Sequence, residues 1–173
     1  VARLTPLTIA AICVVALLAG AAQLGAAALA GEGLAFPLDD AWIHQTYARN
    51  LAWRGEWAFV PGQPSAGSTA PLWTLALAAG YALRLDGVGW AHALGIALLA
   101  LSGLLAGRLA GVLFPGRPLL VPAVMLFTAG EWHLAWASAS GMETLLFIAL
   151  SLALIEQALT APTRAGRAVL LGL

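Results

Sequence analysis

Pro71-Leu72-Trp73-Thr74-Leu75-Ala76-Leu77-Ala78-Ala79-Gly80-Tyr81-Ala82-Leu83 is an apolar run of about thirteen residues, closed by Arg84, Leu85 and Asp86. Whether it crosses a bilayer decides on which side every later loop lies. Runs of roughly 10–14 residues are more often re-entrant or interfacial than spanning, because a crossing helix needs about 20. The charges downstream also favour the shorter path. If residues 71–83 turn back, Arg108, Arg117, Arg164 and Arg167 share a side with Arg3. If they cross, all four move to the other side, against the positive-inside bias. The reading adopted is re-entrant or interfacial.

Working outward, the composition demands a membrane. The chain has 173 residues, is 61% hydrophobic and 9% charged, and carries no net charge. A core this small cannot bury that much apolar surface, so a soluble helical bundle is the weaker reading. All eight basic residues are Arg, and the neutral balance argues against nucleic acid as a partner. The single Cys13 lies inside an apolar run and supports neither a disulfide framework nor a metal cluster. The chain ends within a new apolar run at 167–173, so it reads as the N-terminal part of a larger protein.

The expected fold class is all-α, a polytopic transmembrane helix bundle. Residues 6–30 are uncharged and long enough to span. A cleavable signal peptide competes, since Ala28-Leu29-Ala30 has the small-x-small form, but the run is long for one. Arg3 places the N-terminus in the cytoplasm. Residues 31–70 then form an outer loop, with an interfacial helix over about 40–53 that Asp39 or Asp40 caps and Gly55 ends. Ile43, Tyr47 and Leu51 share one apolar face of it and His44 borders that face, whereas Gln45 and Arg49 lie elsewhere. Further spans fall at about 88–107, 118–138 and 144–160. Arg49, Arg54 and Arg84 are left outside, and all seven tryptophans fall in the outer loop or the outward halves of spans, as interfacial enrichment predicts.

This topology brings Asp39, Asp40 and Glu143 to one side, although it was derived from arginines and span lengths. The acidic pair also reads as a solvated helix cap, and Glu143 as an acid near a helix start. Glu131 and His133 lie in the outward part of the third span, where ionisable groups mark a cavity or a paired structural site. His44, His92 and His133 have no metal-ligand spacing and read as interfacial or packed. Arg49 either pairs with the nearby acids or binds an anionic headgroup, and Trp73 reads as an interface anchor. Gly62–Gly67 lacks the context of a nucleotide loop and reads as a turn.

Asp39-Asp40 followed by Tyr47-Ala48-Arg49-Asn50-Leu51-Ala52, Phe59, Pro61-Gly62, Gly67-Ser68-Thr69 and Pro71-Leu72-Trp73 resembles the first outer loop of GT-C membrane glycosyltransferases. It is most similar to bacterial relatives of the terminal arabinofuranosyltransferases, and more distantly to protein O-mannosyltransferases and lipid A aminoarabinose transferases. Ser140-Gly141-Met142-Glu143-Thr144 is similar to a second motif of the arabinofuranosyltransferase-like members. The resemblance implies an inverting enzyme that passes a sugar from a polyprenyl-phosphate donor to a glycan, lipid or protein acceptor outside the cytoplasmic membrane. It implies Asp39 as catalytic carboxylate, with Asp40 and Glu143 beside it. His44, Tyr47, Arg49 and Trp73 are the candidate substrate contacts, Arg49 for the leaving phosphate. The cofactor is left unknown, a divalent cation being one option, since Asp-Asp stands where the larger family has Asp-Glu. The rival expectations are a polytopic transporter or lipid-linked-substrate binder without bond chemistry, and a membrane scaffold.

Overall fold

The computed structural model describes residues 5–31 and 33–160. Seven helices follow in order: α1 (Pro6–Leu29), α2 (Asp39–Arg54), α3 (Pro71–Ala82), α4 (Gly87–Leu113), α5 (Leu120–Gly130), α6 (Trp132–Ala139) and α7 (Thr144–Thr160). Among the described residues there is no strand, and a lone bridge pairs Val60 with Gln63 in a turn. The described residues are all-helical in their regular structure. α1 and α4 are long and apolar enough to cross a membrane, and α5 and α7 are apolar but shorter. Arg3, Arg164, Arg167 and the run at 167–173 lie outside the described residues.

Local chemistry sets the helix starts. Thr5 Oγ1 accepts the Thr8 N–H at 3.2 Å, and Pro6 occupies the first turn, where its missing N–H is not needed. Asp86 Oδ2 accepts the Gly89 N–H at 2.6 Å and opens α4. At α2 the expectation was different from the outcome. Leu38, not Asp39 or Asp40, holds the capping position, and no side chain caps the helix. Both acids sit inside the first turn, where attraction to the positive helix end does not require cap geometry.

Two further expectations are corrected. Residues 118–138 are not one continuous helix. Glu131 is extended between α5 and α6 (φ −67, ψ 132), and its Oε2 accepts the Leu134 N–H at 2.9 Å. A carboxylate that can cap a new helix here competes with continuation of the old one. The buried face of α2 is also not the expected one. Ala41, His44, Gln45, Tyr47 and Ala48 are buried, with Ile43 and Leu51 only partly so. Gln45 turns inward because both ends of its amide find partners: Nε2 donates to Gly87 O at 3.1 Å, and Oε1 accepts from the Tyr81 hydroxyl at 2.7 Å.

α4 is the central helix, touching α1, α3, α5, α6 and α7. Its neighbours give the directions. Gly20 of α1 lies by Ile96 and Ser138, whereas Ile12 lies by Gly103, so α1 is antiparallel to α4. Gly95 meets Ser138, Gly103 meets Met125 and Ala129, and Gly111 meets Val121, so α5 and α6 ascend beside the descending α4. Arg108 and Glu156 pair at the far end, so α7 descends with α4. One apolar core (Ile12, Ala16, Leu99, Met125, Ala129 and Leu145 among others) fills this bundle. A second (Phe36, Ala41, Ala48, Trp73, Leu77, Ala91) joins α2 and α3 to the first turns of α4. α3 starts and ends at that same end of the bundle: Trp73 bonds the α6–α7 turn, while Trp90 Nε1 donates to Ala76 O at 2.9 Å.

Candidate functional site

The acid-rich end is built on α2. Asp39 and Asp40 are exposed and have no ion-pair partner among the described residues. One turn on from Asp40, on the same face, lies His44. It is buried, and both ring nitrogens have neighbours. Nδ1 lies 3.1 Å from Ser68 Oγ and 3.4 Å from Thr74 Oγ1, and those two hydroxyls are 2.7 Å apart. Nε2 lies 3.4 Å from Glu143 Oε2. That last approach is ionic in range but not aligned as a hydrogen bond, which leaves Oε2 buried without a hydrogen-bond partner.

Glu143 reaches His44 because its turn is clamped. Trp73 Nε1 donates to Gly141 O at 3.0 Å, and the Phe36 ring occupies the space where a Cβ on Gly141 would lie. Gly141 itself has φ +76, a conformation that glycine adopts without cost. The Glu143 side chain is 30% exposed and lines a small apolar groove, about 150 Å³, with Pro71, Leu72, Leu146 and Phe147. The structure thus brings Glu143 to the His44 face of α2, with Asp40 one turn away.

The other expected site residues fare differently. Trp73 is fully buried and is a tether between α3 and the α6–α7 turn, not an interface anchor. Tyr47 is also buried. Its hydroxyl bonds Ser65 Oγ at 2.5 Å and accepts the Gly67 N–H at 2.8 Å, which holds the 56–69 loop on α2. Arg49 does not pair with Asp39 or Asp40; ten residues of helix put it about 15 Å along the axis from Asp39. It lines a different, open groove with Trp53, Tyr81, Arg84 and Asp86. Glu131 caps α6, and its Oε1 lies 2.7 Å from His133 Nδ1. Among the described residues no three His, Cys, Asp or Glu side chains converge as a metal cage.

Sequence reasoning missed Ser68 and Thr74. Thr74 carried the one available signal: a hydroxyl inside the apolar run 71–83, where it needs a buried partner. It also missed the pairing of Gln45 with Tyr81, which joins residues from two helices and leaves no mark on the periodicity of either. Comparison with models of known families, with curated proteins and with solved structures gives no match for this chain.

Proposed function

We propose that this chain is part of a GT-C-type membrane glycosyltransferase. It takes a sugar from a polyprenyl-phosphate donor and passes it to an acceptor hydroxyl on the outer face of the cytoplasmic membrane. The observation that carries the reading is the approach of Glu143 to His44 across the fold, on the α2 face that begins with Asp40. That approach supports the reading by holding Glu143 near the helix that Asp39 and Asp40 open, and transfer to a hydroxyl needs its acidic groups close to the reacting atoms.

In this reading α1, α4, the α5–α6 pair and α7 cross the bilayer, and α2 and α3 lie on the outer surface. Arg108 and Arg117 then fall at the cytoplasmic end, in keeping with the positive-inside bias. The exposed Trp42 and Trp53 fall at the outer end, where tryptophan prefers the headgroup level. Two of the expected contacts are reassigned: Tyr47 and Trp73 hold the site together from within.

The step is a single displacement. Asp39 takes the proton of the acceptor hydroxyl. The oxygen attacks the anomeric carbon from the face opposite the phosphate. The bond from that carbon to the phosphate oxygen breaks, its electron pair leaves on the polyprenyl phosphate, and the configuration inverts. Asp40 and Glu143 shape the acceptor side, Glu143 being held by His44.

The test is transfer from a polyprenyl-phosphate sugar by the purified full-length protein. Asp39→Ala and Asp39→Asn should each abolish it while the protein still folds and inserts. Normal turnover in both variants would sink the assignment. Labelling of introduced cysteines would check sidedness: positions 40 and 143 should react from outside only, whereas a transporter would expose them alternately.

A further inference from the structure

The helix end at Arg84 is the starting point. α3 closes with Leu85 N–H donating to Gly80 O at 3.0 Å and Arg84 N–H to Tyr81 O at 3.0 Å. This paired pattern needs a left-handed residue at position 84, a place that glycine normally takes. Arg84 holds it with φ +59, the sole non-glycine residue among those described with positive φ. An arginine kept at a strained position points to a use for its side chain.

Arg84 lines an open groove of about 870 Å³ together with Arg49, Trp53, Tyr81 and Asp86. Neither guanidinium has a carboxylate partner among the described residues. Asp86 also lines the groove, but one of its oxygens is committed to the α4 cap. The groove therefore carries two cations against one anion. Trp53 is held in place by its Nε1 bond to Tyr81 O at 3.3 Å, yet the residue is 64% exposed. Burial pushes the Tyr81 phenol above its ordinary pKa, with Arg49 acting the other way, so it stays a neutral donor. Leu85 (44% exposed) and Val88 add apolar surface to its lining. Gly87 and Val88, the first residues of α4, form its wall, so it opens where a membrane-crossing α4 would enter the bilayer.

We infer that this groove binds the phosphate of an anionic membrane lipid through Arg49 and Arg84, with Leu85 and Trp53 beside its acyl chains. Paired guanidiniums suit phosphate oxygens, and apolar flanks with tryptophan suit the headgroup level. The inference rests on α4 crossing the membrane but not on sugar transfer. It also separates Arg49 from the reacting phosphate of the donor.

The experiment is calorimetric titration of the detergent-solubilised full-length protein. The probes are dihexanoyl phosphatidic acid, the phosphatidylcholine of the same chain length, and inorganic phosphate. Phosphatidic acid should bind best. Arg49→Gln and Arg84→Gln should each weaken it about tenfold, and the double variant further. Arg84→Gly removes the same charge while suiting the backbone, so a weakening there cannot be put down to misfolding. The inference is overturned if phosphatidic acid does not bind, or if the double variant binds it as well as the parent protein does. Inorganic phosphate binding as tightly as the lipid would overturn the lipid assignment in favour of a free anion site. Asp39→Ala, titrated alongside, should keep lipid binding whatever becomes of sugar transfer, so the two readings fail separately.

Discussion

The two ends of α4 are joined to the rest of the chain by different chemistry. Around Gly87 the contacts are directional. Gln45, Tyr81, Trp90 and His92 each bond a group far away in sequence, and His44 ties Ser68 and Thr74 to the Glu143 turn. Toward Leu113 the contacts are close and mostly apolar. Gly103 and Gly107 let Met125 approach the α4 backbone, and one ion pair, Arg108 with Glu156, joins α4 to α7. Small residues permit helices to pack without specifying which atoms meet, whereas paired polar groups specify position and cost stability when broken. One end is organised for precise placement and the other for close approach. That difference is open to test from either side.

The largest effect should come from removing the acid at the placed end. On the proposed function, Asp39→Ala is expected to take sugar transfer to background with little loss of stability, because Asp39 is exposed and has no ion-pair partner among the described residues. The largest stability effect should come from the packed helix. A Cβ on Gly95 would collide with the Ser138 carbonyl, which is backbone and cannot swing away. Gly95→Leu should therefore destabilise by about 3 kcal/mol or more, read as thermal unfolding in detergent. A neutral result would mean that α4 and α6 are not in this contact.

His44 lies between these extremes. His44→Ala removes the neighbour of Ser68, Thr74 and Glu143 at once. On the proposed function, a displaced Glu143 should lower kcat on the order of 100-fold with KM little changed. The stability loss should be about 2 kcal/mol. His44→Gln keeps a donor and should recover part of kcat, which a purely structural role would not predict. At the packed end, Arg108→Gln should cost about 2 kcal/mol. Breaking a buried pair costs more in general, but Arg108 is 47% exposed and solvent screens its charge. Adding Glu156→Leu to it should restore most of the loss.

The difference between the ends also explains what was legible in the sequence. Long apolar runs mark α1 and α4 because their length and composition are local properties. Gly55 marks the end of α2 for the same reason. The break at Glu131 was not legible. An acid in an apolar run reads as marking a cavity or a paired structural site, and its role in starting a new helix shows only with its Leu134 partner. The face of α2 was misread because periodicity counts Ile43, Tyr47 and Leu51 as apolar, and it cannot weigh the bonds that draw Gln45 inward. Glu143 was placed with the acidic pair by counting arginines. Its neighbour His44 was read as interfacial or packed and, by resemblance, as a substrate contact, without the hydroxyls that surround it.

Gly55 and Arg84 sharpen the comparison at its smallest scale. Both close a helix in the left-handed region, φ 70 for Gly55 and φ 59 for Arg84, and both lie at the α2–α3 end. A side chain in that region costs roughly 1–2 kcal/mol, which glycine avoids. Arg84→Gly should therefore stabilise the protein by about 1 kcal/mol, since the exposed Arg84 side chain makes no ion pair to lose. Gly55→Arg should destabilise it by a similar amount. The pair of melts carries more than either alone. If Arg84→Gly is stabilising and also loses phosphatidic acid, then position 84 trades stability for the guanidinium, as sites under functional constraint do. If it is destabilising, the Arg84 side chain has a structural partner, and the groove loses the argument from strain.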